Sequence, residues 1–90
     1  MRANPIKTRW AAGQAVVNGW LAIPHSLAAE TMAQQGWDSL TVDMQHGLAD
    51  HAGMLSLLTA ISASPCAPVV RVPWLEESSL MRVLDAGAYV

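Results

Sequence analysis

Asp43 and His46 lie three positions apart, where an apolar stretch gives way to the segment MQHG. A carboxylate at this spacing can hold one imidazole nitrogen while the other nitrogen faces a substrate. Such a pair makes a general base, because the carboxylate fixes the tautomer and stabilises the imidazolium. On spacing alone, a loop histidine bonded to a local carboxylate is the commoner explanation, since Asp-x-x-His often occurs by chance.

Arg71 interrupts an apolar run formed by Val69, Val70 and Val72. An arginine in a buried strand must be paired with an acid or must bind an anion, because an isolated buried charge is costly. In the lumen of a barrel, such a guanidinium suits a carboxylate or a developing enolate oxygen. The alternative is an ion pair with Asp43 or with another acid at a strand end, and the residues alone leave both explanations open.

The elements that must position these side chains follow a repeated pattern. Three apolar or β-branched runs are each followed by a segment with helical composition or spacing. The predicted strands are residues 15–23, 38–44 and 67–74, and residues 88–90 begin a fourth.

The predicted helices have recognisable ends and apolar stripes. Ser26 can cap the first helix, and Gly36 stands where a helix needs a left-handed residue to stop. Asp50 is a plausible cap for the second helix, and Gly87 ends the third. The apolar stripes of the second and third helices are Met54, Leu57, Leu58 and Ile61, and Leu80, Val83 and Leu84.

Strands that alternate with helices of this length predict right-handed crossovers and a parallel sheet. The repeat of roughly 25 to 30 residues is close to one unit of a (β/α)₈ barrel of about 250 residues. A doubly wound, flavodoxin-like sheet has the same local pattern. In either fold the carboxyl ends of the strands converge on one mouth, which gathers Asp43, His46 and Arg71 with Trp20 of the first strand.

The composition narrows the class of protein. The 90 residues are 52% hydrophobic with a net charge of -2, and the five Lys and Arg residues are scattered, so neither nucleic acid nor a membrane is an expected partner. No stretch approaches about 18 apolar residues, and no secretory leader is evident. Cys66 is the single cysteine, which excludes an internal disulfide and fits a reducing compartment, so we expect a cytoplasmic protein.

Three segments carry a resemblance to a known family. They are WLAIPHSLAAETMAQQGWDSLTVDMQHG, PVVRVPW and LMRVLDAGAYV. Together they resemble the opening of the HpcH/HpaI aldolases, whose relatives include macrophomate synthase. The resemblance covers residues 19–90, and it implies that residues 1–90 form one partial domain, the N-terminal third of a (β/α)₈ barrel.

The resemblance also implies a reaction and a role for each residue. The reaction is aldol cleavage of a 4-hydroxy-2-oxo acid to pyruvate and an aldehyde. His46 is then the base, supported by Asp43, and Arg71 holds the pyruvate oxygen as charge develops. Trp20 lines the pocket, and Asp85 joins the polar network around metal-bound water. In one arrangement, this Asp85 comes from a neighbouring subunit.

The family binds a divalent cation, Mg²⁺, Mn²⁺ or Co²⁺, through a Glu and an Asp at the ends of strands five and six. The present sequence stops in strand four, so these ligands are expected beyond Val90, and the 90 residues alone are expected to bind the cation weakly and to be inactive. Gln45 stands where many members have Glu, which bears on substrate preference. The resemblance further implies a homo-oligomer, a hexamer or trimer of dimers.

Two other functions remain open. One is a decarboxylase or a macrophomate-synthase-like relative, which shares the metal and enolate chemistry on the same scaffold. The other is an inactive fragment that only self-associates through its open sheet edge, since an unpaired edge strand is a template for pairing.

Overall fold

The computed structural model describes residues 3–90, in which three strands alternate with helices. The strands pair in the order β1-β2-β3, and both pairings are parallel, which confirms the predicted parallel sheet. The elements are α1 Pro5–Ala11, β1 Asn18–Leu21, α2 Ser26–Ala33, β2 Ser39–Asp43, α3 His51–Ser62, β3 Ala67–Arg71 and α4 Glu77–Asp85.

The sheet has two faces of different character, because successive side chains of a strand point to opposite sides. Trp20, Asp43 and Arg71 lie on one face, one from each strand, and Asp43 is the register partner of Arg71. The other face packs against the helices, and its buried side chains include Leu21, Leu40, Val42 and Val70.

The helices contribute apolar side chains to the same core. The predicted stripe of α3 is confirmed, since all four of its residues are at most 2% exposed. In α4 the stripe is narrower than predicted: Val83 is buried and Leu80 is half-buried, but Leu84 is exposed. No further helix follows α4 within residues 3–90, so no such neighbour covers Leu84 there.

Element ends agree with some predicted signals and correct others. Asp50 caps α3 by accepting from the backbone N–H of Gly53 at 2.8 Å. Gly36 and Gly87 have φ of +92° and +113°, the left-handed conformation that ends their helices. The prediction that Ser26 caps α2 is wrong: His25 has the extended backbone of an N-cap, and its Nδ1 accepts from the backbone N–H of Leu27.

The strands are shorter than the apolar runs that predicted them. Residues 15–17 and 22–23 flank β1, and residues 72–74 follow β3, without joining the ladder. Several of these residues are exposed, Ile23 by 63% and Trp74 by 77%. Apolar content therefore extends into the loops at the carboxyl ends of the strands.

The helix α1 was not predicted from the sequence. Its start is encoded by Asn4 and Pro5, since Asn4 Oδ1 accepts from the backbone N–H of Ile6 at 3.0 Å and proline suits the first turn. The Asn4 amide donates to the carbonyl of Tyr89, and Arg9 pairs with Asp38 at 3.5 Å. These contacts hold α1 beneath the amino ends of the strands.

Between α1 and the sheet lies a cavity of about 220 Å³. Ile6 and Trp10 line it from α1, and Asn18, Ser39 and Thr41 line it from the sheet. The side-chain Oδ1 of Asn18 accepts from the hydroxyl groups of Ser39 and Thr41, at 2.8 and 3.1 Å. This cavity therefore lies on the same face of the sheet as Trp20, Asp43 and Arg71, at its amino end.

Residues 88–90 extend the sheet as the fourth predicted strand requires, although they are too short to form a strand of their own. Tyr89 donates its backbone N–H to the carbonyl of Pro68 at 2.9 Å, and Val70 donates to the carbonyl of Val90 at 3.0 Å. The chain thus returns from α4 to the amino end of β3 and runs parallel to it.

Cys66 is buried directly before β3. Burial, together with the nearby carboxylate of Asp38, raises the pKa of the Cys66 thiol to about 11. Across the described part of the chain, the helices are all too short or too polar to cross a membrane.

Candidate active site

An ion pair between Asp43 and Arg71 forms the centre of the site. Arg71 Nε donates to Asp43 Oδ1 at 3.0 Å, and Nη2 donates to Oδ2 at 2.6 Å, which is the two-pronged geometry of a strong pair. The Asp43 side chain is only 4% exposed, whereas that of Arg71 is 38% exposed. Of the two explanations for Arg71, the structure therefore contains the ion pair, and within residues 3–90 the Arg71 side chain is only partly covered.

Trp20 completes this cluster from β1. Its indole N–H donates to Asp43 Oδ2 at 3.1 Å, and the guanidinium carbon of Arg71 lies over the ring, 5.0 Å from its centre. The three side chains come from three neighbouring strands and meet at their carboxyl ends, as the sequence predicted.

Asp43 also organises the loop that carries His46. Its Oδ1 accepts from the backbone N–H groups of Gln45 and His46, both at 3.0 Å, so the carboxylate caps a tight turn directly after β2.

The predicted bond from Asp43 to the His46 imidazole is not formed. Within residues 3–90 the carboxylate accepts from Arg71, from Trp20 and from two backbone N–H groups, and the His46 side chain is exposed. The donors already in place satisfy both oxygens. Asp43 therefore holds His46 through its backbone.

These donors hold the pKa of the Asp43 carboxyl far below its usual range. Arg71 has the largest effect, and the hydrogen bonds from His46, Trp20 and Gln45 act in the same direction, while desolvation opposes them. The same pair raises the pKa of Arg71 above its already high value. Both groups are therefore charged at neutral pH.

Acid stability is expected to depend on Asp43. The unfolded carboxyl titrates near 3.8, and the folded one only at much lower pH. Below about pH 4 the unfolded chain thus binds a proton that the folded protein does not, so stability from the pair is complete above that pH and is lost as pH falls. Urea midpoints of the full-length protein and of Asp43→Asn are expected to converge between about pH 5 and pH 2. A difference that stays constant with pH would contradict this assignment.

Gly47 lies in the same turn, and its backbone passes close to the backbone of Asp43. A Cβ at this position would overlap the carbonyl oxygen of Asp43 and lie 3.0 Å from Asp43 Cβ. The carbonyl belongs to the backbone and cannot rotate away, so any side chain here displaces the segment between Asp43 and His46.

We expect Gly47→Ala to lower the free energy of unfolding by about 1–3 kcal/mol, the usual cost of overpacking. Gly53→Ala is the comparison, because its added Cβ would lie 3.1 Å from Oδ1 of Asp50, the side chain that caps α3, which can shift by a few tenths of an ångström where the Asp43 carbonyl cannot. Urea denaturation of both variants measures the difference. Equal stability of the two variants would show that the turn relaxes without cost.

Asp85 does not join this cluster within one chain. It is exposed at the end of α4, and α4 runs back towards the amino ends of the strands, where Tyr89 pairs with Pro68. The cluster lies at the carboxyl ends, so Asp85 of the same chain is at the opposite end of the sheet.

The described residues do not form a metal centre. Among residues 3–90, no three His, Cys, Asp or Glu side chains are grouped closely enough to hold an ion. Asp43, the one buried carboxylate of the cluster, already accepts hydrogen bonds at both oxygens.

Comparison with known proteins decides the family. A sequence profile described as HpcH/HpaI aldolase/citrate lyase matches residues 17–90. The chain belongs to this family. Among HpcH/HpaI relatives, the hydroxypyruvate/pyruvate aldolase of Rhizorhabdus wittichii is 37% identical over 86 residues, which are 96% of this chain and 34% of that protein. The enzyme of the same name from Paraburkholderia phytofirmans is 42% identical over 87 residues, which are 94% of this chain and 34% of that protein.

A solved structure supports the same assignment. The HpcH/HpaI aldolase/citrate lyase family protein from Burkholderia cenocepacia superposes with a TM-score of 0.88 and 39% identity, over 96% of this chain and 35% of that one. The chain spans about a third of the length of the curated relatives that it matches. It is thus the first third of an HpcH/HpaI (β/α)₈ barrel, which confirms the predicted fold against the doubly wound alternative.

Two features of this HpcH/HpaI site were missed by sequence reasoning. One is the bond from the Trp20 indole to Asp43, for which the sequence offers no signal beyond the position of Trp20 in a strand. The other is the close approach of Gly47 to Asp43, whose signal is a glycine directly after His46 in a strand-to-loop turn.

Proposed function

We propose that this chain supplies the general base and the oxyanion-binding arginine of an aldolase that cleaves 4-hydroxy-2-oxo acids to pyruvate and an aldehyde. One observation carries the proposal: Arg71 is fixed by Asp43 and Trp20 at the carboxyl ends of the strands, with 38% of its side chain exposed. Membership of the HpcH/HpaI family supports the same class of reaction.

Arg71 is suited to bind the oxygen on which negative charge develops. Its bonds to Asp43 use two of the five N–H groups of a guanidinium, and three remain for other acceptors. Because the guanidinium is already oriented, it stabilises charge without reorganising during the reaction. In our proposal these N–H groups bind the 2-oxo oxygen and its enolate form.

His46 is the proposed base. It removes the proton from the C4 hydroxyl, the C3–C4 bond breaks to release the aldehyde, and the electron pair moves into the enolate of pyruvate. A proton returned to C3 completes pyruvate. The turn capped by Asp43 holds the His46 backbone, which limits the positions that the imidazole can reach.

The family resemblance adds a divalent cation, Mg²⁺, Mn²⁺ or Co²⁺, to this proposal. When bound, such a cation would polarise the 2-oxo group. Its ligands are proposed to come from later strands of the barrel, since the described residues do not provide them. The contribution of residues 3–90 is to hold the base and to bind the oxygen.

Further elements of the proposal concern partners. The names of the two curated relatives make pyruvate and hydroxypyruvate the first donors to test with an aldehyde. We further propose a homo-oligomer in the cytoplasm, in which Asp85 of a neighbouring subunit reaches the site. Because Asp85 lies at the end of α4, away from the cluster of its own chain, we propose that any such contribution comes from another chain.

The direct test is an assay of the full-length protein with a panel of 4-hydroxy-2-oxo acids, in which lactate dehydrogenase and NADH report pyruvate. Chelation by EDTA is expected to abolish the activity, and Mg²⁺, Mn²⁺ or Co²⁺ to restore it. The reverse reaction, condensation of pyruvate or hydroxypyruvate with an aldehyde, is followed by product analysis. Decarboxylation of oxaloacetate without cleavage of any 4-hydroxy-2-oxo acid would favour the decarboxylase instead. No turnover of either kind would contradict the proposal.

A further inference from the structure

Trp20 contacts both members of the Asp43–Arg71 ion pair. Its indole N–H donates to Asp43 Oδ2 at 3.1 Å, and its ring lies 5.0 Å from the guanidinium carbon of Arg71. The side chain is nevertheless 49% exposed. An aromatic side chain that remains half exposed yet makes two directed contacts is placed by those contacts as well as by burial.

Asp43 and Trp20 restrain the Arg71 guanidinium in different ways. The carboxylate of Asp43 fixes the direction in which the edge of the guanidinium points, through the bonds from Nε and Nη2. The indole ring lies against its face, where a cation is attracted to the ring, and so limits its tilt. The indole N–H in turn holds Asp43 Oδ2, the oxygen that accepts from Nη2.

We propose that Trp20 is a positioning residue that acts through Asp43 and Arg71, fixing the guanidinium so that its remaining N–H groups face the substrate oxygen. This inference rests on the proposed function of Arg71. It differs from a pocket-lining role, in which Trp20 would act by touching the substrate.

Two substitutions separate the contacts of Trp20. Trp20→Phe keeps an aromatic face but loses the N–H donor, whereas Trp20→Leu loses both. We expect kcat/KM to fall by a few-fold in Trp20→Phe and by roughly tenfold or more in Trp20→Leu. Trp10→Leu is the control, since Trp10 is also more than half exposed but lies on α1 at the other end of the sheet.

A double-mutant cycle in the full-length protein distinguishes positioning from substrate contact. If Trp20 acts through Arg71, then Trp20→Leu has little further effect on kcat/KM in the Arg71→Ala background. If the two substitutions lower kcat/KM by independent factors, Trp20 touches the substrate directly and the inference is overturned.

A spectroscopic measurement tests the inference without any activity. In ¹⁵N-labelled full-length protein the Nε–H of Arg71, bonded to Asp43, is expected to give a sharp signal that exchanges slowly with water. In Trp20→Leu the signal is expected to broaden and exchange faster, with Trp20→Phe intermediate and Trp10→Leu unchanged. An unchanged Arg71 signal in both Trp20 variants overturns the positioning role even if the wild-type protein is an active aldolase. A changed signal in a protein that cleaves no 2-oxo acid supports the positioning role while the proposed function fails.

Discussion

Replacing His46 by alanine in the full-length protein is expected to lower kcat by roughly 10²- to 10⁴-fold, the usual contribution of a positioned general base. The loss follows from the proposed role of the imidazole in taking the proton of the C4 hydroxyl. KM is expected to change much less, because the substrate oxygens are bound by other groups. Steady-state kinetics on a 4-hydroxy-2-oxo acid measures both quantities.

His51→Ala is the matched control for this experiment. His51 is exposed like His46, but it begins α3 and has no proposed part in the reaction. Circular dichroism and urea denaturation establish that both variants fold. Near-normal kcat in His46→Ala would mean that the turn after β2 is structural and that the base lies elsewhere in the barrel.

Arg71→Ala is expected to lower kcat by about 10²- to 10³-fold, as removal of an oxyanion donor does in other enzymes. The effect falls on kcat because hydrogen bonds to the oxygen strengthen as the enolate forms. Arg71→Lys is expected to restore only part of the loss, since an ammonium cannot bind Asp43 through two parallel bonds and present further N–H groups at the same time. Arg82→Ala, on α4, is the control for loss of a cation.

The stability of these variants needs a separate experiment, because Arg71→Ala leaves the Asp43 carboxylate buried without its cation. Removing one member of such a pair is more damaging than removing both. The double variant Arg71→Ala/Asp43→Asn is therefore expected to unfold at higher urea than Arg71→Ala while remaining inactive. Recovery of activity in the double variant would show that Arg71 serves only to neutralise Asp43.

Periodicity predicted the helices and strands that build the core. The spacing of Met54, Leu57, Leu58 and Ile61 is sufficient to place α3, because helical geometry puts these residues on one face. Strand ends were less predictable: Ile23 and Trp74 continue the apolar runs, but both are exposed and lie in loops, so hydrophobic residues alone do not show where a strand ends. The helix α1 has only seven residues, too few to show a repeated apolar stripe, so its cap gives the clearest local signal.

The sequence predicted which residues gather at the site more accurately than it predicted the hydrogen bonds between them. Strand order and the parallel sheet bring Asp43 and Arg71 to neighbouring positions, and both could be inferred from the repeat. The spacing of Asp43 and His46 shows that they are close, but it does not show which donor the carboxylate binds. In the structure the Asp43 carboxylate accepts from the Arg71 guanidinium and from the N–H groups of the turn, so it does not bind the His46 imidazole.

The residues that fix Arg71 lie near one another in the sequence as well as in space. Trp20 and Asp43 are 23 residues apart, and Asp43 and Arg71 are 28 apart. The proposed base and arginine are therefore encoded in one short continuous stretch of the gene. Recombination between relatives at a boundary after this stretch would transfer the two residues together, with their relative geometry preserved. Chimeric proteins made in this way would keep the proposed base and arginine of one parent while taking their remaining barrel strands from the other.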